Sequence, residues 1–148
     1  MRELPRKLTI EELAELFEGR TRLVERLAEI DDPLGRADDV LGELDEADKL
    51  EALAAHPAIG QSSGLSARSA AEQGAGASVD PCVITELMAL NAAYEKTFGF
   101  RFVVHVNRRP KDEVLEVLRE RIGRTREEEL DTGCSELVAI ARDRWTRT

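Results

Sequence analysis

The chain has 148 residues, 42% of them apolar and 34% charged, with a net charge of −9. That length suits one domain with one core, and the balance is too apolar for disorder, yet no window holds the roughly 18 to 20 apolar residues of a membrane span. The acidic surplus, with Lys and Arg scattered through amphipathic segments, excludes a general affinity for nucleic acid, which needs a basic footprint.

The opening residues, MRELPRKLTIEELAEL, lack the apolar run and small-residue cleavage site of a secretory signal, so a cytoplasmic location is expected. Thr9 and Glu12 form a Thr-x-x-Glu capping box that opens a helix over about 10–18. Leu23, Val24, Leu27 and Ile30 mark a second helix, stopped by the Asp31-Asp32-Pro33 turn. A short third helix over 35–43 carries Ala37, Val40 and Leu41, and a fourth runs from Glu46 to Ala55 with Leu50, Leu53 and Ala54 inward. Residues 57–64 read as a Gly, Ser and Pro loop, and a short helix over 66–73 is broken by Gly74 and Gly76. Asp80-Pro81, an N-cap followed by an N1 proline, opens the longest helix, 81–98, with Val83, Leu87, Leu90, Tyr94 and Phe98 inward and Gly99 at C′. The run FRFVVHV has no second strand to pair with, which predicts a short extended connector laid against helices. Pro110 opens a helix to Ile122, and Thr125 with Glu128 caps the last one, to about Trp145. The expected fold is a single compact all-α domain, 1–148, of seven or eight helices. Six aromatic residues leave its core mostly Leu, Val, Ile and Ala.

Two histidines and two cysteines narrow the chemistry. Cys82 and Cys134 lie far apart on separate helices, and two buried thiols are expected. A zinc site built from His56, Cys82, His105 and Cys134 lacks every familiar spacing, so no metal is expected. No phosphate-cradling glycine loop or nucleophile motif occurs. His56 is different, because Pro57 disfavours αR at the preceding residue and turns the chain out of the helix there. The side chain should then project from a helix C-terminus, where partial negative charge stabilises an imidazolium, a reasonable setting for an acid/base. One loop later, Ser69 and Glu72 share a helix face with Gln73 as i+4 neighbour, offering a hydroxyl, an anion and an amide to a urea-like ligand. The bland alternative is the solvated end of a short helix. Arg142 and Arg144 are either an anion clamp or the basic last turn of a helix.

Four blocks stand in one order: HPAIG at 56–60, SAAEQ at 69–73, LNAAYEKTFGFRFVV at 90–104 and IARDR at 140–144. This series resembles the family of 2-oxo-4-hydroxy-4-carboxy-5-ureidoimidazoline (OHCU) decarboxylases of urate breakdown, over about residues 50–145. The resemblance implies an all-helical, cofactor-free carboxy-lyase, often a homodimer, that converts the small ureido acid OHCU to (S)-allantoin and CO2. It implies His56 as the catalytic histidine with Glu72 beside it, and Pro57 shaping the loop. Ser69 and Gln73 match the substrate-binding block. Val103, Val104, His105 and Val106 match a segment whose backbone contacts the ligand, and Arg144 matches the late arginine, with Arg142 one half-turn away. The N-terminal half departs from the pattern, lacking the Ser-Pro-Trp-Val and Arg-Pro-Phe segments, and the loop between His56 and Glu72 is shorter. Two other readings stand beside this one: a same-fold enzyme acting on a different ureido or carboxylated substrate, and a non-catalytic helical binding or phosphotransfer module.

Overall fold

The computed structural model describes residues 4–56, 81–106 and 110–147. Among these residues there are seven helices and no strand: α1 Ile10–Phe17, α2 Arg22–Leu27, α3 Ala37–Glu43, α4 Glu46–Ala54, α5 Pro81–Phe98, α6 Lys111–Arg121 and α7 Arg126–Thr146. The all-α expectation holds for them; the helix expected over 66–73 lies outside the described residues, as does Asp80. None of the described helices is long and apolar enough to cross a membrane.

Caps fix where the helices begin. Glu12 N–H donates to Thr9 Oγ1 and Thr9 N–H donates to Glu12 Oε1, both at 3.1 Å, so two orphan donors of α1 are satisfied reciprocally. Thr125 and Glu128 repeat the arrangement before α7, and the two hydrogen bonds from Thr125 hold the exposed Glu128 carboxyl below its ordinary pKa. Asp45 caps α4 by accepting from Asp48 N–H at 2.9 Å. The second helix is shorter than its apolar spacing suggests: it ends at Leu27, and Ile30 sits half-buried in the turns that follow. There Asp32 adopts φ 52°, and a Cβ on Gly35 would collide with the Asp32 carboxylate, so a larger residue at 35 would have to turn that carboxylate aside.

The chain folds as two compact units, Met1–His56 with Cys134–Thr148, and Pro57–Gly133. The first is aliphatic. In it α2 packs on α1, α3 and α4, burying Leu13, Leu16, Leu23, Val24, Leu27, Leu41 and Leu53, each contributing roughly 1.5–3 kcal/mol by leaving water. On α4 the buried pair is Ala52 and Leu53; Leu50 is half-buried and Ala54 exposed, because this short helix turns only a narrow stripe inward.

The second unit is aromatic. Here α5 packs on α6, and three of the chain's six aromatics gather around a fourth, Tyr94, whose ring centroid lies 4.6 Å from Phe98, 5.1 Å from Phe102 and 6.1 Å from Phe100. The inward face of α5 runs Leu87, Asn91, Tyr94 and Phe98, while Val83 and Leu90 are only half-buried. Gly99 adopts φ 80° after α5, with its N–H on the Glu95 carbonyl at 2.8 Å, the left-handed stop expected at C′. Cys134 is buried, but Cys82 is exposed in the first turn of α5, which corrects the expectation of two buried thiols.

Candidate active site

His56 stands two residues beyond the last residue of α4, its N–H on the Leu53 carbonyl at 3.2 Å. The helix that delivers it is anchored from its side: Glu51 Oε1 accepts the N–H of Arg22, an orphan donor in the first turn of α2, at 2.7 Å. The imidazole is 8% exposed, with Nδ1 shielded.

Arg144 lies in the same unit and is 1% exposed. Its NH1 donates to the Leu16 carbonyl at 3.0 Å and pairs with Glu18 Oε1 at 3.0 Å. Glu18 is the C-cap of α1 and adopts the left-handed φ of 65°, a conformation that costs a non-glycine residue about 1–2 kcal/mol. Arg142 is used otherwise. Its Nε and NH2 donate to the carbonyls of Leu34 and Gly35, and NH2 reaches Asp38, so it ties α7 to the turn before α3.

Residues 101–106 run with no helix, turn or bend, which leaves the chain drawn out as the sequence suggests. Phe102, Val103, Val104 and Val106 are buried and His105 is half-buried. Among the described residues no strand pairs with this connector, so its buried peptide groups need other partners. Arg121 supplies one: NH1 donates to the Val103 carbonyl at 2.7 Å, while Nε donates to Glu129 Oε1 at 2.7 Å. Tyr94 donates its hydroxyl to the same Oε1 at 2.6 Å, and Arg124 NH1 lies 3.1 Å from Glu129 Oε2. The Arg121 guanidinium also stacks 4.6 Å from the centroid of the Phe102 ring. Burial, then the hydrogen bond to the Glu129 carboxylate, pushes the Tyr94 hydroxyl far above its ordinary pKa, with the Arg121 charge opposing.

The structure therefore buries His56 and Arg144 in the first unit and the 103–106 connector in the second. Pro57, Ser69, Glu72 and Gln73 lie outside the described residues. Sequence reasoning missed Arg121, Glu129 and the Tyr94 hydroxyl. One signal pointed to them: Arg121 continues the apolar stripe Val114, Leu115, Leu118, and Glu129 sits beside Leu130 on the stripe of α7, where a charge needs a buried partner. Among the described residues, no three His, Cys, Asp or Glu side chains are placed to hold a metal ion.

Among the described residues the chain is an all-helical protein with a buried histidine beyond one helix end, a buried arginine paired near another, and an apolar connector clamped by a second arginine. The model of the OHCU decarboxylase family matches residues 2–146, and the chain belongs to that family. It is 35% identical over 100 residues to the uric acid degradation bifunctional protein TTL of Arabidopsis thaliana, covering 63% of this chain and 31% of that protein. Against the 2-oxo-4-hydroxy-4-carboxy-5-ureidoimidazoline decarboxylase of Halalkalicoccus jeotgali the identity is 31% over 96 residues, 63% of this chain and 54% of that one. The matches thus span between about a third and about half the length of these relatives. The fold is that of a crystal structure of OHCU decarboxylase in the presence of (S)-allantoin (TM-score 0.74, 23% identity, 92% of this chain and 96% of that one). A crystal structure of (S)-allantoin synthase is similar as well (TM-score 0.70, 23% identity, 91% of this chain and 47% of that one).

Proposed function

We propose that the chain is a cofactor-independent decarboxylase of urate catabolism, converting OHCU to (S)-allantoin and CO2. The observation that carries this reading is the burial of His56 and Arg144, 8% and 1% exposed, at two of the positions that the family pattern reserves for chemistry. A desolvated guanidinium is costly to keep unless its charge is used or balanced. The burial of His56 beyond the end of α4 also weighs against a phosphotransfer module, whose acceptor histidine must stand exposed in mid-helix.

The chemistry needs no electron sink from outside the substrate. The bond to the carboxylate breaks, CO2 leaves, and its electron pair enters the conjugated ring through the adjacent imine before a proton is added to one face. His56 handles the hydroxyl proton and the incoming one as general acid/base, with Glu72 beside it. Ser69 and Gln73 grip the ureido and ring amide groups, and Pro57 shapes the loop that carries His56. Arg144 takes the anionic oxygen, and the backbone of Val103, Val104, His105 and Val106 completes the orientation. The chain works in this reading as one catalytic domain, a homodimer in the cytoplasm; the continuity of the family match across 2–146 supports the single domain.

The test generates OHCU in situ from urate with the two preceding enzymes and follows chiral allantoin by circular dichroism. Rapid formation of one enantiomer is expected, and slow racemic product at the uncatalysed rate would reject the reading. His56→Asn is expected to lower kcat by about 10²–10⁴, the usual worth of a positioned acid/base. Because the N-terminal half departs from the family pattern, a same-fold enzyme for another ureido or carboxylated acid is the second reading; turnover of such an acid in place of OHCU would favour it.

A further inference from the structure

Arg121 lies outside the residues to which the family pattern gives a role, yet it holds the only main-chain hydrogen bond that Phe102, Val103 and Val104 make among the described residues. In drawn-out chain, successive residues present their N–H and C=O to opposite edges. The Arg121 fork takes the edge of Val103, which in drawn-out chain leaves the opposite edge to the peptide groups of Val104.

Taking the connector as ligand-facing, as proposed above, we propose that Arg121 is a positioning residue that fixes the substrate-binding edge of the connector. The guanidinium suits this task because its planar fork serves Val103 O and Glu129 Oε1 at once, both at 2.7 Å, while its face lies on Phe102. Glu129, fully buried, is fixed in turn by Tyr94 and Arg124. The clamp reaches the connector from α6 and α7, and holds that edge where no strand pairs with it among the described residues.

The test compares Arg121→Lys with Tyr94→Phe. Lysine keeps the charge beside Glu129 but cannot make both bonds; phenylalanine weakens the same network and leaves the Val103 bond. With OHCU generated in situ, R121K is expected to raise KM by about 10- to 100-fold, the effect of a displaced contact of about 1 Å, and to lower the enantiomeric excess of the allantoin formed. Y94F is expected to keep KM within about twofold. A folded R121K with unchanged KM, or two variants whose rates fall only with their folded fractions, would overturn the proposal. Should R121K not fold, Glu129→Asp draws the anchor back by one methylene and keeps both charges; a raised KM supports the clamp, and an unchanged KM in a folded protein overturns it. Amide hydrogen exchange separates this from the decarboxylase reading. In protein without substrate, exchange at 102–105 should quicken by about tenfold or more in R121K and not in Y94F, whether or not the wild type turns over OHCU. Equal exchange in both variants overturns the clamp.

Discussion

Arg121 and Arg144 are built alike and held differently. Each is a buried arginine whose NH1 reaches a main-chain carbonyl and whose charge meets a glutamate. In the Pro57–Gly133 unit that glutamate is fully buried and gripped by Tyr94 and Arg124 as well, and the guanidinium lies against an aromatic ring. In the other unit the counter-charge is Glu18, whose side chain is 13% exposed and whose backbone is left-handed at a helix end. The first arrangement locks a guanidinium in place. The second balances a charge with a carboxylate that can turn toward water, which suits the anion-binding role proposed for Arg144.

The sharpest way to break this comparison is to truncate both arginines. Arg121→Met leaves the fully buried Glu129 carboxylate with Arg124 as its cation partner and frees the Val103 carbonyl, and is expected to cost about 3 kcal/mol in urea denaturation. Arg144→Met, whose glutamate can reach solvent, should cost only about 1–2 kcal/mol. Equal losses would erase the distinction. Next comes activity: Arg144→Lys is expected to lower kcat/KM by about 10- to 100-fold, since a lysine cannot reproduce a charge-assisted fork. A kcat/KM within twofold of wild type would remove Arg144 from the substrate.

Alkaline titration sharpens the locked side. The Tyr94 hydroxyl has a higher pKa folded than unfolded, so its contribution to stability is intact below the ordinary tyrosine pKa of about 10 and is lost as pH rises above it, at most about 1.4 kcal/mol per pH unit. Denaturation across that range should show a shallower loss in Tyr94→Phe than in wild type; matching slopes would contradict the raised pKa. The smallest effect is expected at Glu18→Gly. Glycine relieves the left-handed strain by about 1 kcal/mol and forfeits a partly exposed ion pair of similar worth, so Tm should move by only a few degrees. KM, however, should change, because Arg144 loses the Glu18 carboxylate 3.0 Å from its NH1. A large destabilisation with unchanged KM would make Glu18 a plain structural partner.

Much of this was legible from residue order. The Thr9/Glu12 and Thr125/Glu128 boxes, the Asp45 start of α4 and the Gly99 stop are local, so each follows from a few neighbouring side chains. The four ordered blocks gave the family, which the match across 2–146 bears out. Periodicity misjudged inward faces where two positions compete. On α5 Asn91 is buried and Leu90 only half-buried, since packing against α6 and not hydropathy chose the stripe. The end of α4 was read to within a residue, but the burial of His56 was not legible, because a break in a helix says where the chain turns and nothing of what covers the side chain.

Sequence alone determined that this chain is helical, where its helices start, and that a histidine, a late arginine and a strandless apolar run stand in the order of one enzyme family. Only the tertiary structure decided which charges are buried and whom they meet. Glu18 lies 126 positions before Arg144, and Tyr94 lies 35 before Glu129. No local rule links such residues; burial leaves a charge or a peptide group without water, and whichever partner the fold brings near must replace it.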